Sequence, residues 1–197
     1  MPETNAPATD QMRFVAPTAR HVPLHLVTTD QLADWTEMQP RRVRAWLTTT
    51  GFKASAGQIA LASDPDGGLA MAAVGLGTDQ DRARQFFALG GARAKLPVAV
   101  YKLEHALDAD TLNEQALGWL LAGYSFRRFR STPAPALPDL NAPDGVDTAQ
   151  LEAIAAGEHL TRTLIDTPAS HMGPEDLEAA FVGLADSFGA EVSVIYG

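Results

Sequence analysis

Apolar positions recur along the chain at two spacings, near two residues and near three and a half. The spacing changes at clusters of Gly, Pro, Asp and Asn. The first run, H-V-P-L-H-L-V over 21–27, is a strand pattern. Pro23 inside it predicts an edge or irregular strand, because proline cannot donate to a ladder. Asp30 is placed to cap a short helix carrying Leu32, Trp35 and Met38. A second helix follows Pro40, with Val43, Trp46 and Leu47 on one side and Gly51 as its stop. Segments 58–62 and 69–74 read as two strands around the turn D-P-D-G-G at 64–68. The second is apolar on both faces, the pattern of a central strand covered on both sides. Gly75-Leu76-Gly77 then leads into a helix capped by Thr78 or Asp79, with Ala83, Phe86 and Phe87 facing inward. A further short strand is expected at 98–101.

Thr111 and Glu114 have capping-box spacing. The helix behind them carries Leu112, Leu117, Leu120, Leu121 and Tyr124, and ends in G-Y-S-F-R-R-F-R at 123–130. The Pro-rich run 131–145 is the sharpest compositional break in the chain and reads as a domain boundary. Asp147 and Gln150 form a second capping box. It opens a helix to about Leu164 whose Ala153, Ala156, Gly157, Leu160 and Leu164 form a stripe of mainly small residues. The last helix begins at Pro174, with Glu175 and Asp176 complementing its dipole. Its Leu177, Ala180, Phe181, Leu184, Ala185 and Phe188 share one face, Gly189 ends it, and a strand is expected at 192–195. A chain that stops within a residue or two of such a strand is expected to have been cut. Alternating strands and helices give an α/β fold; the pattern leaves strand order open.

Composition narrows the chemistry. The 197 residues, 46% of them apolar, suffice for a domain or a domain and a half with a real core. A formal net charge of -9 argues against broad binding to nucleic-acid phosphates. With no cysteine, a disulfide framework, a zinc ribbon and a thiol nucleophile are excluded. Residues 1–11 read as a disordered tail without the basic and apolar regions of a secretory signal. No run reaches the ~18 apolar residues of a membrane helix. A soluble, cytoplasmic protein is the expectation.

The residues that carry reactive chemistry form no strong motif. Gly75-Leu76-Gly77 lies where a phosphate-cradling loop could be. However, Gln80 stands where a dinucleotide fingerprint needs glycine, Asp79 and Asp81 would repel an anion, and no Walker lysine follows. A tight structural turn is the favoured reading. Lys53–Gly57, K-A-S-A-G, is one glycine short of a nucleophile elbow. Of the five histidines, His21, His25, His105, His159 and His171, the pair His21 and His25 are four apart without an evident third ligand, Glu158-His159 is not H-E-x-x-H, and His171 and Glu175 straddle a helix start. Arg127, Arg128 and Arg130 interleave with Phe126 and Phe129, as in single-strand nucleic-acid binders. A helix end with favourable cations and apolar anchors is the preferred reading.

Three stretches, in order, resemble the leucyl aminopeptidases (cytosol aminopeptidases). The first is 51–77, with G-F-K-A-S-A-G-Q and V-G-L-G. The second is 116–129, A-L-G-W-L-L-A-G-Y-S-F-R-R-F. The third and most specific is 161–174, matched at Arg162, Leu164, Ile165, Asp166, Thr167, Pro168, Ala169, Ser170, Met172, Gly173 and Pro174. Asp166 and Ser170 stand where asparagine is common in that family, and Ser125 and Phe129 also depart mildly from it.

The resemblance implies a macro-domain-like N-terminal sheet flanked by helices, then a connecting helix and the first helix and strand of a second α/β domain. The implied layout is a tail at 1–11, the N-terminal domain at 12–140, linker and connecting helix at 141–165, and the start of a peptidase domain at 166–197. The implied parent reaction is release of N-terminal amino acids by a two-metal site using Mn or Zn, which would polarise the scissile carbonyl and activate a bridging water. The family's V-G-K-G-x-x-F-D-[ST]-G-G and N-T-D-A-E-G-R segments, which supply the metal ligands, do not occur here. The expectation is therefore no catalytic, metal or cofactor-binding residue in this chain and no activity from it alone. Expected partners are its own C-terminal peptidase domain, further copies in a hexamer, and peptide substrate through the parent. The competing reading is a free-standing macro-like module for a nucleotide or ADP-ribose.

Overall fold

The computed structural model describes residues 12–18, 20–104 and 106–196. The tail expected at 1–11 and the side chain of His105 lie outside them. The chain divides into two compact units, Met1–Ala156 and Gly157–Gly197.

The first unit is built on a five-stranded sheet in the order β2-β3-β1-β4-β5. Its strands are β1 (Val22–Thr28), β2 (Ile59–Ser63), β3 (Leu69–Gly77), β4 (Val100–Glu104) and β5 (Asp139–Leu140). β1 pairs parallel with β3 and β4, β4 parallel with β5, and β2 antiparallel with β3. The helices of this unit are α1 (Leu32–Met38), α2 (Arg41–Thr50), α3 (Asp79–Arg82), α4 (Ala88–Arg93), α5 (Ala109–Leu121) and the first half of α6 (Thr148–Asp166).

Both faces of the sheet are packed. On one face, Leu24 and Leu26 of β1 and Tyr101 and Leu103 of β4 meet Leu89 and Ala92 of α4, Ala116, Trp119 and Leu120 of α5, and Leu151 and Ala155 of α6. On the other, Val27, Ala60, Ala62, Met71 and Ala73 meet Leu47 and Phe52, with Trp35 and Val43 at the margin. The residues on each side alternate along β1, as strand geometry requires. β3 is buried over seven consecutive positions, as its unbroken apolar run predicts.

Several local expectations hold. Gly51 ends α2 in the left-handed region, at φ 66°. Asp64 organises the β2–β3 turn by accepting from the N–H groups of Asp66 (2.9 Å) and Gly68 (2.7 Å). Asp147 accepts from the Gln150 N–H at 3.0 Å to open α6.

Others are corrected. β1 is the central strand, not an edge. Pro23 is tolerated because it sits at the strand's start, before pairing with β3 begins at Leu24. α1 starts behind Gln31 with no side-chain cap, so Asp30 does not cap it. α5 is capped by Asp108, which accepts from the Thr111 N–H and hydroxyl (2.9 and 2.8 Å), so the helix begins before the Thr111/Glu114 spacing suggests. Phe86 and Phe87 do not face inward. α3 stops at Arg82, and Phe87 adopts a left-handed conformation (φ 61°) to start α4, which turns Ala88, Leu89 and Ala92 to the core and leaves Phe86 59% exposed. The Pro-rich run is not merely a connection. It supplies β5, and Asn141 bridges to Val15 beyond it. The buried positions of α6 are Leu151, Ala155 and His159, four apart, while Ala153, Ala156 and Gly157 are exposed.

The second unit contains the rest of α6, a 3-10 turn at Ala169–His171 and α7 (Pro174–Ser187). The segment expected as a strand at 192–195 forms no ladder. A strand is defined by a paired neighbour, and among the described residues it has none.

Candidate functional site

Gly75-Leu76-Gly77, the strongest sequence candidate for a ligand cradle, is the last part of β3 and not a loop, at the carboxyl end where open α/β sheets bind ligands. Its donors are already committed. The Gly75 N–H donates to Gln58 O and the Gly77 N–H to Ala54 O, both at 2.8 Å. Gly77 O accepts from the Thr29 N–H (3.0 Å) and from Arg82 Nη1 (3.2 Å). Thr78 caps α3, and the Asp81 carboxylate accepts from both its N–H and its hydroxyl. Those hydrogen bonds hold Asp81 below the usual carboxylate range. An ionised carboxylate thus occupies the helix start that an anion would need.

The glycines serve close packing. A Cβ at Gly75 would lie 2.3 Å from Ser55 O, and Gly77 needs φ 74°. The facing segment, with its near-elbow Lys53–Gly57, is a stapled loop. Gln58 Oε1 accepts from the N–H groups of Lys53 (2.9 Å) and Ser55 (3.4 Å), while Nε2 donates to Gly51 O (3.0 Å). The G-F-K-A-S-A-G-Q pattern is therefore a backbone-holding device.

The histidines do not converge. His21 Nδ1 lies 2.9 Å from Thr18 O on the surface. His25, half-buried on β1, accepts through Nδ1 from the Trp35 indole N–H at 3.3 Å. Burial pushes its pKa down, opposed by the Glu104 carboxylate. His159 is buried on α6. His171 Nδ1 lies 2.9 Å from Ser170 Oγ. Among the described residues, no three His, Asp or Glu side chains are grouped to hold a metal ion.

The arginine and aromatic run after α5 is a loop clamp. Arg127 donates to Thr132 O, to Thr132 Oγ1 (3.0 Å) and to Pro133 O (2.9 Å). Arg128 lies over the Phe129 ring at 5.7 Å, and Phe126 meets Phe129 edge-on.

Sequence reading missed Arg93. It is 1% exposed, stacks 4.8 Å over Trp119, and donates to Pro138 O (Nε, 3.2 Å) and Trp119 O (Nη1, 2.8 Å). It ties the Pro-rich run, and so β5, to α5. Burial lowers its pKa to about 10, with Asp139 opposing, so it stays charged at neutral pH. No local signal distinguishes this arginine from the exposed ones.

In the second unit, the joint 161–174 is mostly helix. Thr161, Thr163 and Thr167 hydroxyls donate to the carbonyls four residues back, and Arg162 Nε pairs with Glu158 at 2.8 Å. Gly173 N–H donates to Asp176 Oδ2 at 2.9 Å to open α7. Along α7, Leu177, Phe181, Leu184 and Phe188 are exposed, Phe181 by 61% and Phe188 by 80%, and only Ala185 is buried. Ile195 and Tyr196 are exposed as well.

Residues 22–140 match the family model described as M17 aminopeptidase, N-terminal domain. No curated protein matches at a significant level. Among solved structures, the cytosol aminopeptidase from Coxiella burnetii superposes with a TM-score of 0.83 at 26% identity over 94% of this chain and 40% of that one. The bottromycin maturation enzyme BotP in complex with Mn superposes at 0.66 and 21% identity, over 91% of this chain and 39% of that one. A tomato leucine aminopeptidase mutant gives 0.64 and 18%, over 90% and 42%. The chain thus spans about two fifths of the length of these solved structures. Among the described residues no helix is long and apolar enough to cross a membrane.

Proposed function

The chain belongs to the M17 aminopeptidase family by its N-terminal domain, and from that premise we propose that it is the non-catalytic N-terminal portion of a cytoplasmic, metal-dependent exopeptidase that removes N-terminal residues from peptides. Its own task is assembly and docking of the peptidase domain. The observation that carries this reading is the family match over 22–140 in a chain covering two fifths of its solved relatives. The layout proposed is an N-terminal domain at 12–140, a connection at 141–165 and the start of the peptidase domain at 166–197. The complex of BotP with Mn supports a metal-dependent parent. Hydrolysis is assigned to the remainder of such a parent, because the segments that carry the family's metal ligands do not occur in this chain. The nucleotide or ADP-ribose alternative is not favoured, since the N–H groups of Gly75 and Gly77 are committed.

The test is hydrolysis of leucine anilide by the purified chain, with and without added Mn²⁺. The expected result is no turnover above buffer at any metal level. Metal-dependent turnover that survives removal of contaminating protease overturns the proposal.

Docking has its own readout. The exposed apolar face of α7 is of the kind that binds partner surfaces or hydrophobic dyes. The chain is expected to enhance the fluorescence of such a dye. The double change Phe181→Ser with Leu184→Ser should reduce that signal several-fold and move the thermal midpoint by no more than roughly 2 °C, as surface changes do. Unchanged dye binding would remove α7 from the docking surface.

A further inference from the structure

α1 is seated on the sheet by few contacts. It has seven residues, no side-chain cap at its N-terminus and no fully buried residue. Helices this short do not persist on propensity alone. Leu32 and Trp35 pack against the core on this face, and Trp35 also meets β1 directly. Its ring centroid lies 5.5 Å from that of His25 on β1 and 6.1 Å from that of Phe52. Its indole N–H donates to His25 Nδ1 at 3.3 Å. An indole can only donate, so the bond exists only while Nδ1 is unprotonated. On the other side of His25, the register partner on β4 is Glu104, half-exposed and 3.9 Å from Lys102 Nζ. A neutral imidazole suits Trp35. An imidazolium has no lone pair for the indole and is attracted to Glu104.

We propose that His25 is a proton-controlled clasp: neutral, it accepts from Trp35 and seats α1 on the sheet; protonated, it turns to Glu104 and releases α1. The charged groups around it are Lys102 and Glu104 on β4 and the exposed Asp34 and Glu37 on α1 itself; the β3 partner, Ala73, is uncharged. Burial lowers the His25 pKa in the folded chain despite Glu104. The folded state therefore favours the neutral ring. The clasp is fully closed above the ordinary histidine pKa of about 6.5 and is lost as pH falls through the depressed folded value. The device needs nothing from the peptidase reading and stands or falls separately from it.

Amide exchange of residues 32–38 in the whole chain, corrected for intrinsic rates, tests it at pH 7.5 and 5.0. Protection of α1 is expected to fall several-fold at the lower pH, as linkage to the lowered His25 pKa requires, while β3 amides stay protected. His25→Gln keeps a side-chain acceptor but cannot titrate, so its α1 should be equally protected at both pH values. Glu104→Gln removes the partner of the imidazolium and should shift opening to lower pH. A flat profile in the unaltered chain overturns the clasp. So does an identical pH dependence in His25→Gln.

Discussion

Arg93→Met is expected to lower the thermal midpoint by roughly 6–12 °C, the equivalent of about 3 kcal/mol in a chain of this size. The guanidinium is buried and is the donor to two carbonyls, Pro138 O and Trp119 O, that lie 45 and 26 residues away in sequence. Methionine fills much of the volume but donates nothing. Each carbonyl left without a donor costs about 1–3 kcal/mol. Relief of the desolvation that lowers the Arg93 pKa offsets part of this. Because the lost bonds hold the run that forms β5, exchange of the Asp139 and Asn141 amides, which donate to Ala99 O and Tyr101 O, should accelerate more than that of β3. Arg93→Lys should fall between, since a point charge cannot span both acceptors as a planar fork does. A midpoint within 2 °C of the unaltered chain for Arg93→Met would make the arginine dispensable and its burial incidental.

Gly90→Ala is expected to destabilise by about 3 kcal/mol, at the upper end for overpacking by one methyl. The added Cβ would sit 2.3 Å from Gly118 O and 2.8 Å from Gly118 C. Both are backbone atoms of α5, so no side chain can swing aside. Gly118 is constrained from the other side, its own Cβ position lying 2.7 Å from the Phe87 Cβ. α4 and α5 approach through this glycine contact, which also lets buried Gln115 Oε1 accept from the Leu89 N–H at 2.9 Å and satisfy the start of α4. Gly91 is the internal control. Nothing lies within 4 Å of its Cβ position, and its φ is not in the left-handed region. Gly91→Ala should therefore stabilise by up to about 1 kcal/mol, the difference in helix propensity. Opposite signs at adjacent glycines, read from denaturant midpoints, separate steric approach from backbone entropy. Equal effects would remove the close-packing argument.

Much of the fold was legible because its cues are local. Gly51 ends α2 through its own left-handed conformation, and Asp64 turns the β2–β3 hairpin through bonds to residues two and four ahead. The apolar run of β3 correctly signalled a covered strand. The errors have one origin. Pro23 predicts an edge or irregular strand because the pattern does not reveal that β3 joins only from Leu24 onward. The expectation that Phe86 and Phe87 face inward continues one helical period across a break that Phe87 makes at φ 61°. Residue size predicts the small-residue stripe of α6 as its packed face, while Leu151, Ala155 and His159 are the positions buried.

The candidate site divides in the same way. The resemblance to aminopeptidases rests on contiguous motifs, and those motifs can be read without a structure. What the motifs do physically could not be read. Gln58 as a staple and Gly75 as a point of close approach appear only once β3 and the 52–58 loop are brought together.

By itself, the sequence determined most of the elements, the Gly51 stop, the Asp64 turn and the Asp147 cap, the α/β class and the family, because periodicity, turn chemistry and short motifs act over a few residues. Tertiary structure alone decided that β1 is central, that the Pro-rich run supplies the fifth strand, that Arg93 is buried under it, and that Trp35 rests on His25. Each of those joins residues whose separation in the chain carries no pattern. Strand pairing, burial and hydrogen-bond completion are satisfied across the whole fold, so a residue's partner is set by where the chain returns and not by what stands beside it.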